Sequence, residues 1–217
     1  YWFSQVRNPQ TIDNQTILNE KLILAVADCT GHGVPGAFMS MIGNDILNEI
    51  VNTKNITQAD KILNELHKGI QKALKQEETE SRDGMDVAIL VIDCSKQKAE
   101  YAGAMNPLFY VQNKQFFEIK ADKKAIGGRQ AEAVRTFNKH EIDISTETTF
   151  YLCSDGFQDQ FGGENNQKFM VKKLKSLIFD IHSQHLCDQK DILEKTINEW
   201  KGTRKQIDDM LIFAVKV

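Results

Sequence analysis

Three acidic residues lie at the ends of separate apolar segments in this chain of 217 residues. Asp28 follows the apolar run Leu22–Ala27, Asp155 follows a second such run, and Asp208 precedes a third. Short apolar runs are typical of buried strands, and antiparallel pairing places the end of one strand beside the start of the next. Carboxylates gathered at one sheet edge repel each other, and a bound divalent cation relieves that repulsion. Because the candidate ligands are oxygen atoms, the pattern favours Mg²⁺ or Mn²⁺ over Zn²⁺.

Each of these acids has a plainer explanation when it is taken alone, namely that it caps a turn. Asp28 opens the turn Asp-Cys-Thr-Gly-His-Gly, in which Gly31 and Gly33 permit a tight backbone conformation or close approach to a ligand. The cap explanation is much weaker for all three acids together, since all three occupy matched strand ends.

The elements that would position these acids follow from the periodicity of the sequence. Strands are predicted at Tyr1–Arg7 and Lys21–Ala27, joined by a hairpin connection over Asn8–Asn19. A helix is predicted from Pro35, with an apolar face formed by Phe38, Met41, Ile42, Ile46 and Ile50. A second helix follows from Thr57, with a stripe formed by Ala59, Ile62, Leu63, Leu66, Ile70, Ala73 and Leu74.

After Met85 the pattern changes to short strands with tight turns, and helices return at Phe169–Ile181 and Asp188–Trp200. A last strand is predicted at Met210–Val217. This order differs from the alternation of strands and helices in a parallel sheet. It predicts an α+β fold, with two antiparallel sheets packed as a sandwich and flanked by helix pairs.

Composition narrows the class of protein. The chain is 41% hydrophobic and 26% charged, which is typical of a folded domain, and we expect one domain over 1–217. A net charge of −3 offers no basic excess for nucleic acid. The four cysteines form no CxxC motif, which favours a reducing, cytoplasmic setting, and no apolar run is long enough to span a membrane. The start at Tyr1, without methionine, favours a C-terminal fragment of a longer protein.

Four segments, in this order and spacing, carry a family resemblance: ADCTGHGVPGAFMSM, YAGAMNPLFYV, YLCSDGFQDQFGG and IDDMLIFAV. Together they resemble the metal-dependent Ser/Thr protein phosphatases of type 2C (the PPM superfamily), in the bacterial SpoIIE/RsbU-like branch. The resemblance covers nearly the whole chain. It implies hydrolysis of phosphoserine or phosphothreonine in a protein substrate, by an output domain of a bacterial signalling protein.

The resemblance also implies a role for particular residues. Asp28 corresponds to the acid that bridges two metal ions, Mn²⁺ or Mg²⁺, and the backbone carbonyl of Cys29 faces a metal. Asp155 and Asp208 correspond to further metal ligands, and Asp209 follows where the family often has Asp or Asn. Asp28 and Asp155 would thus act through a metal-bound water, whose lowered pKa allows attack on phosphorus.

Other acids and a histidine remain open candidates. Asp83 and Asp86 could help a weaker third metal or could belong to a solvated turn. His32 could contact phosphate, donate a proton to the leaving group, or order the turn. The family also has an acid just before the position of Tyr1, so we expect this fragment to bind metal weakly and to have impaired activity.

The implied partners are a phosphorylated protein and an upstream sensor or regulatory domain. A homodimer and membrane anchoring of the full-length protein are left open. Two other functions also stay open. One is a weak or inactive relative that serves as a protein-binding signalling module, and the other is a two-metal phosphohydrolase of small phosphoesters.

Overall fold

The chain forms two compact units in the computed structural model. Unit 1 comprises Tyr1–Pro107 and Ile119–Ser145, and unit 2 comprises Leu108–Glu118 and Thr146–Val217. The structure describes residues 1–12, 15–31, 33–79, 81–128 and 134–217, with the backbone alone for 8–12 and 15–19. The expectation of a single domain over 1–217 stays a prediction.

Unit 1 is built on an antiparallel sheet. Its strands are β1 (Trp2–Ile12), β2 (Gln15–Cys29), β3 (Gly84–Asp93), β4 (Lys98–Ala104), β7 (Ile126–Gly127) and β8 (His140–Asp143). They pair in the order β1-β2-β3-β4-β8, and β7 pairs with β3. The central strand β3 is buried along nearly its whole length, as its continuous apolar run Val87–Ile92 predicts.

The first hairpin is longer than the sequence suggested. The expected connection over Asn8–Asn19 instead continues the two strands, and the antiparallel register runs on to the pair Ile12↔Gln15. The polar composition of this segment favoured a loop. A strand ladder, however, is held by backbone groups, which polar residues supply as well as apolar ones.

Two α-helices of the described residues belong to unit 1, and the first packs differently from our prediction over part of its face. Helix α1 (Val34–Asn48) continues into a π-helical turn at Glu49–Thr53. Phe38 and Met41 are 60% and 62% exposed, so the prediction is wrong for these two residues, whereas Ile50 is buried and Ile42 and Ile46 pack against the core as predicted. The buried positions are Gly36, Met39, Gly43 and Leu47. The helix therefore turns its glycines inward, and a Cβ at Gly36 would lie only 2.7 Å from the carbonyl oxygen of Gly31.

The second helix, α2 (Ala59–Ala73), confirms its predicted stripe except at Ala73, which is exposed. Its buried residues are Ala59, Ile62, Leu63, Leu66, His67 and Ile70. They join the core of unit 1 with apolar residues of the sheet. Full burial of each large aliphatic side chain contributes roughly 1.5–3 kcal/mol, so this stripe is a main source of stability for unit 1.

Unit 2 contains a second antiparallel sheet and the remaining helices. Its strands are β5 (Leu108–Gln112), β6 (Gln115–Ile119), β9 (Thr148–Cys153), β10 (Phe161–Gly162), β11 (Gln167–Lys168) and β12 (Ile212–Lys216). The main sheet has the order β12-β9-β5-β6, and β10 pairs with β11 in a small hairpin. The helices are α3 (Gly156–Asp159), α4 (Val171–Ile181) and α5 (Leu186–Lys201).

The α+β class is confirmed, since the paired strands in both units are antiparallel and helices accompany each sheet. Over the described ranges, none of the helices combines the length and apolar character that a membrane crossing requires.

A buried hydrogen bond in unit 2 gives a pH-dependent prediction. The Tyr151 hydroxyl donates to Gln189 Oε1 at 2.8 Å, and Gln189 Nε2 donates to the carbonyls of His182 and Gln184. Burial raises the pKa of Tyr151 from 10.0 to about 12. The neutral hydroxyl therefore stabilises the fold fully below pH 10, and this contribution is lost as the pH rises towards 12.

We expect Tyr151→Phe to lower the free energy of unfolding at pH 7 by about 1–3 kcal/mol, because Gln189 loses its buried donor. The difference from the unmodified protein should shrink above pH 10, where the tyrosine itself becomes costly to bury. Urea unfolding between pH 7 and pH 11 measures both effects. Tyr110→Phe is a matched control, and an unchanged gap across this range would contradict the assignment.

Candidate functional site

Asp28 lies near the end of β2 and faces an acid on the neighbouring strand. The register of β2 and β3 pairs Asp28 with Asp86 and Cys29 with Met85. Directly opposite residues of an antiparallel pair have Cβ atoms roughly 4.5–5.5 Å apart, and like charges in this position are destabilising. Both acids are half-buried, so a cation beside them would offset a repulsion that water screens only in part.

The turn that follows Asp28 is fastened to the start of β3. The Thr30 amide donates to the carbonyl of Gly84 at 2.9 Å, and the Gly84 amide donates to Thr30 Oγ1 at 3.2 Å. Gly31 and Gly33 have φ angles of +87° and +69°, which a residue with a Cβ rarely adopts. These hydrogen bonds hold in place the backbone beside the Cys29 carbonyl, which is a candidate metal ligand. The candidate His32 lies outside the described residues.

Asp83 belongs to the turn before β3. Its Oδ2 accepts a hydrogen bond from Ser81 Oγ at 3.2 Å. Its backbone carbonyl accepts from Gln76 Nε2 and from the Gly128 amide. Of the two acids that the sequence left open here, Asp86 is the one that the strand register places opposite Asp28. Asp83 acts as an acceptor within its own turn.

The acids of unit 2 are brought together by the residues around Asp155. Ser154, which is 6% exposed, donates from Oγ to the carbonyl of Asp209 at 2.9 Å. The same Oγ accepts from the Leu211 amide at 3.0 Å, and the Ser154 amide donates to the Leu211 carbonyl. Ser154 therefore holds the segment that carries Asp208 and Asp209 against the end of β9.

Gly156 makes this approach sterically possible. A Cβ at this position would lie 2.3 Å from the carbonyl oxygen and 2.9 Å from the carbonyl carbon of Asp209. Gly156 has no positive φ, so the need for glycine here is one of space. The sequence Ser-Asp-Gly thus has a physical explanation: serine fastens the partner segment, glycine leaves room for it, and Asp155 lies between them.

The carboxylates of unit 2 are accessible. Asp155, Asp208 and Asp209 are all exposed, and Asp208 Oδ1 accepts from the Asp209 amide at 2.8 Å. Sequence reasoning identified these acids but missed Ser154. The signal was present, since a serine directly before Asp-Gly at a strand end is a ready partner for a neighbouring backbone.

The family resemblance implies a divalent metal, and the carboxylates of the two units are its candidate ligands. Over the described residues, no group of three or more His, Cys, Asp or Glu side chains is arranged to hold a metal ion. Mg²⁺ retains several waters and is commonly held through one or two carboxylates together with substrate phosphate. The acids gathered in each unit fit that chemistry, because they supply hard oxygen donors without a histidine or thiolate cluster.

The thiols of Cys29 and Cys153, which lie near the candidate ligands, are not suited to act as nucleophiles. Burial raises the pKa of the Cys29 thiol, whose Sγ lies 3.6 Å from Ser40 Oγ. Burial also raises the pKa of Cys153 to about 12. Because the thiolate is the reactive form of cysteine, both thiols stay protonated and inert near neutral pH.

The family model of stage II sporulation protein E (SpoIIE) matches residues 19–217. A search of curated proteins gave no significant match. Among solved structures, the SiaA PP2C domain of Pseudomonas aeruginosa is 26% identical, with a TM-score of 0.80. That alignment covers 99% of this chain and 80% of the SiaA chain.

Two more distant structures show the same fold. The first contains the PP2C phosphatase domain and a regulatory-domain fragment of SpoIIE from Bacillus subtilis, with 16% identity and a TM-score of 0.69. The second contains the RsbU and RsbW domains of Rv1364c from Mycobacterium tuberculosis, with 15% identity and a TM-score of 0.65. This chain is covered to 100% and 97% respectively, but spans only 58% and 54% of those chains. Since the family model matches nearly the whole chain and the fold is that of PP2C phosphatase domains, this chain belongs to the SpoIIE family.

Proposed function

We propose that this chain is a metal-dependent phosphatase domain that removes phosphate from phosphoserine or phosphothreonine in a protein. The observation that carries the proposal is the clamp in unit 2, where Ser154 and Gly156 hold the Asp208–Asp209 segment beside Asp155. An independent support is the pairing of Asp28 with Asp86 in unit 1. Hydrogen bonds, close backbone packing and strand pairing thus position the acids that the family resemblance assigns to metal binding.

The proposed ligands are Asp28, the backbone carbonyl of Cys29, Asp155 and Asp208. Asp209 and Asp86 support them from neighbouring positions. Two Mn²⁺ or Mg²⁺ ions would supply an activated water and neutralise charge on the phosphoryl oxygens. The chain's own part is to hold its carboxylates at fixed places before metal arrives, which lowers the cost of ordering the site. The protonated state of Cys29 and Cys153 supports direct hydrolysis without a cysteine phosphoenzyme.

We further propose that the domain is the output part of a regulated, cytoplasmic signalling protein. This rests on two of the similar structures, one of which contains a fragment of a regulatory domain and the other an RsbW domain beside the RsbU domain. A protein-binding module without catalysis, or a hydrolase of small phosphoesters, are the competing functions. The retained acids favour catalysis over a pure binding module.

Phosphate release measured colorimetrically tests the proposal. Purified protein is assayed with phosphoserine and phosphothreonine peptides, with nucleotides and with a small aryl phosphate, at Mn²⁺ concentrations from micromolar to millimolar. Because the fragment is expected to bind metal weakly, we expect slow phosphopeptide turnover at the higher Mn²⁺ concentrations, which EDTA abolishes and added Mn²⁺ restores. Calorimetric Mn²⁺ binding without turnover of any substrate would favour the binding module. Turnover confined to nucleotides or small esters would favour the other alternative.

A further inference from the structure

A basic surface lies at the C-terminal end of α5 and the start of α4 in unit 2. It is formed by Lys173, which lies over Trp200, and by Lys201, Arg204 and Lys205 at the end of α5 and just beyond it. Lys201 is half-buried and the other three residues are exposed. The segment from Trp200 to Ile207 contains no acid. This basic surface is notable in a chain whose net charge is −3.

Specific contacts hold the basic surface together. Lys173 Nζ lies 3.9 Å from the centroid of the Trp200 ring, in a cation–π contact. Arg204 Nη2 donates to the carbonyl of Gly163 at 3.0 Å, and the Gly163 amide donates to the carbonyl of Trp200 at 2.9 Å. A Cβ at Gly162 would lie 2.0 Å from the Trp200 carbonyl oxygen. The charges are therefore carried by a packed platform made from α4, α5 and the β10–β11 hairpin.

The basic surface lacks the acids that neutralise other lysines of unit 2. Lys190 and Lys195 pair with Glu194 and Glu199 along α5, and Lys175 pairs with Glu118. Within the described part of the chain, no carboxylate lies within 4.0 Å of the charged groups of the basic surface. Lys201 lies in the last turn of α5, where its positive charge is stabilised by the negative end of the helix dipole. Arg204 and Lys205 lie beyond the end of the helix, so the dipole does not explain them.

The basic surface adjoins the segment that carries Asp208, and Gln160 holds the backbone between them. The buried side chain of Gln160 donates from Nε2 to the carbonyl of Lys205 at 3.0 Å, and its Oε1 accepts from the Ile207 amide at 3.4 Å. Lys205 is three residues from Asp208, so their Cα atoms are at most about 11 Å apart. A protein segment whose phosphoryl group lies at Asp208 can therefore place residues a few positions away on the basic surface.

We propose that the basic surface binds an acidic segment of the phosphoprotein substrate, beside the phosphorylated residue. This rests on the phosphatase function proposed above. Complementary charge of this kind selects among partners and speeds their association, and salt weakens it. The platform fixes where the charges lie, and the position next to Asp208 relates the bound acidic segment to the proposed reaction.

The first test is binding, which does not depend on catalysis. Fluorescence anisotropy on metal-free protein measures a labelled, unphosphorylated peptide rich in Glu and a matched peptide in which Gln replaces each Glu. We expect the acidic peptide to bind at least about 10-fold more tightly, and its affinity to fall as salt rises from 50 to 300 mM. The triple variant Lys201→Glu, Arg204→Glu and Lys205→Glu should remove this preference.

Two further variants keep the test independent of folding. The double variant Lys201→Glu and Lys205→Glu retains the Arg204 contact with Gly163 and should weaken acidic-peptide binding several-fold. The control that matches the charge change of the triple variant replaces three exposed lysines of α2, Lys61, Lys68 and Lys72, with glutamate. This control should bind the acidic peptide nearly as well as the unmodified protein, and circular dichroism verifies the fold of each variant.

The second test is turnover of the phosphorylated forms of both peptides with Mn²⁺. For the acidic phosphopeptide, the triple variant should raise KM about 10-fold or more with little change in kcat, and hydrolysis of a small aryl phosphate should be unaffected. Equal affinity for the Glu and Gln peptides, or tighter binding of an oligonucleotide or of anionic lipid vesicles, would overturn the proposal. Selective acidic-peptide binding without any phosphate release would instead overturn the phosphatase function and leave the acidic-protein site supported.

Discussion

Replacing Asp155 with asparagine is expected to lower Mn²⁺-dependent phosphate release by at least about 100-fold. Loss of an outer partner of a metal site commonly reduces metal affinity or activity 10- to 100-fold, and loss of a direct ligand should cost no less. Asparagine keeps the size of the side chain but removes its charge, so the change acts on the cation more than on packing. Asp155 is exposed and lies directly before α3, where the isosteric amide should be tolerated.

Metal-induced stabilisation provides a readout of Asp155 that does not depend on turnover. Metal at 100 times its dissociation constant stabilises a folded protein by about 2.7 kcal/mol, and a 100-fold loss of affinity reduces this to about 0.4 kcal/mol. Thermal unfolding with and without Mn²⁺ should therefore show a large shift for the unmodified protein and almost none for Asp155→Asn. Asp191→Asn, on the exposed side of α5, is the matched control. If Asp155→Asn retained the full metal shift, Asp155 would not be a ligand.

The second large effect is expected for Gly156→Ala. The added methyl group would meet the backbone of Asp209 at 2.3 Å, and a backbone atom cannot rotate away as a side chain can. We expect a loss of about 1–3 kcal/mol in the free energy of unfolding. Because the displaced atoms belong to the Asp208–Asp209 segment, Mn²⁺ affinity should fall about 10- to 100-fold as well.

Gly43→Ala is the control for the added methyl group. Its Cβ would lie 3.0 Å from the terminal Cε of Met85, which is the free end of a flexible side chain. Alanine also favours the interior of a helix by up to about 1 kcal/mol over glycine, so this variant should be neutral or slightly more stable. Urea unfolding and calorimetric Mn²⁺ titration compare the two. If Gly156→Ala gives the same stability and the same Mn²⁺ affinity as Gly43→Ala, the packing at Gly156 does not position the metal ligands.

The sequence was most informative where one pattern met one physical requirement. The stripe of α2 was predictable because Ile62, Leu63, Leu66 and Ile70 recur at helical spacing and all are buried. The face of α1 was predictable only in part, because Phe38 carries a large apolar side chain into solvent while Gly36 and Gly43 face inward. Hydrophobic periodicity detects faces formed by large apolar side chains. It does not detect a face that packs closely because its residues are glycines.

For the candidate ligands, the sequence indicated the residues but did not indicate which residues lie beside them. Strand ends carrying Asp28, Asp155 and Asp208 could be found in the sequence, since each acid adjoins an apolar run. The opposition of Asp28 and Asp86 depends on the register of β2 and β3, which only strand pairing sets. The role of Ser154 likewise depends on contacts with Asp209 and Leu211, more than 50 residues away along the chain.

The position of β12 has a consequence for how the protein behaves at high concentration. Within the described sheet, β12 pairs with β9 alone, so its other side presents a strand edge. Ile212, Ala214 and Val215 on this strand are only half-buried, and Lys216 is its one charged residue. Such an edge is a template for intermolecular strand addition, and a short strand with a terminal lysine is a natural means of limiting it. β12 is one of the terminal strands of the two sheets, with β1, β8 and β6, at which such strand addition can start. The ammonium group of Lys216, which pairs with Glu147 at 2.8 Å, would have to be accommodated by any strand added there.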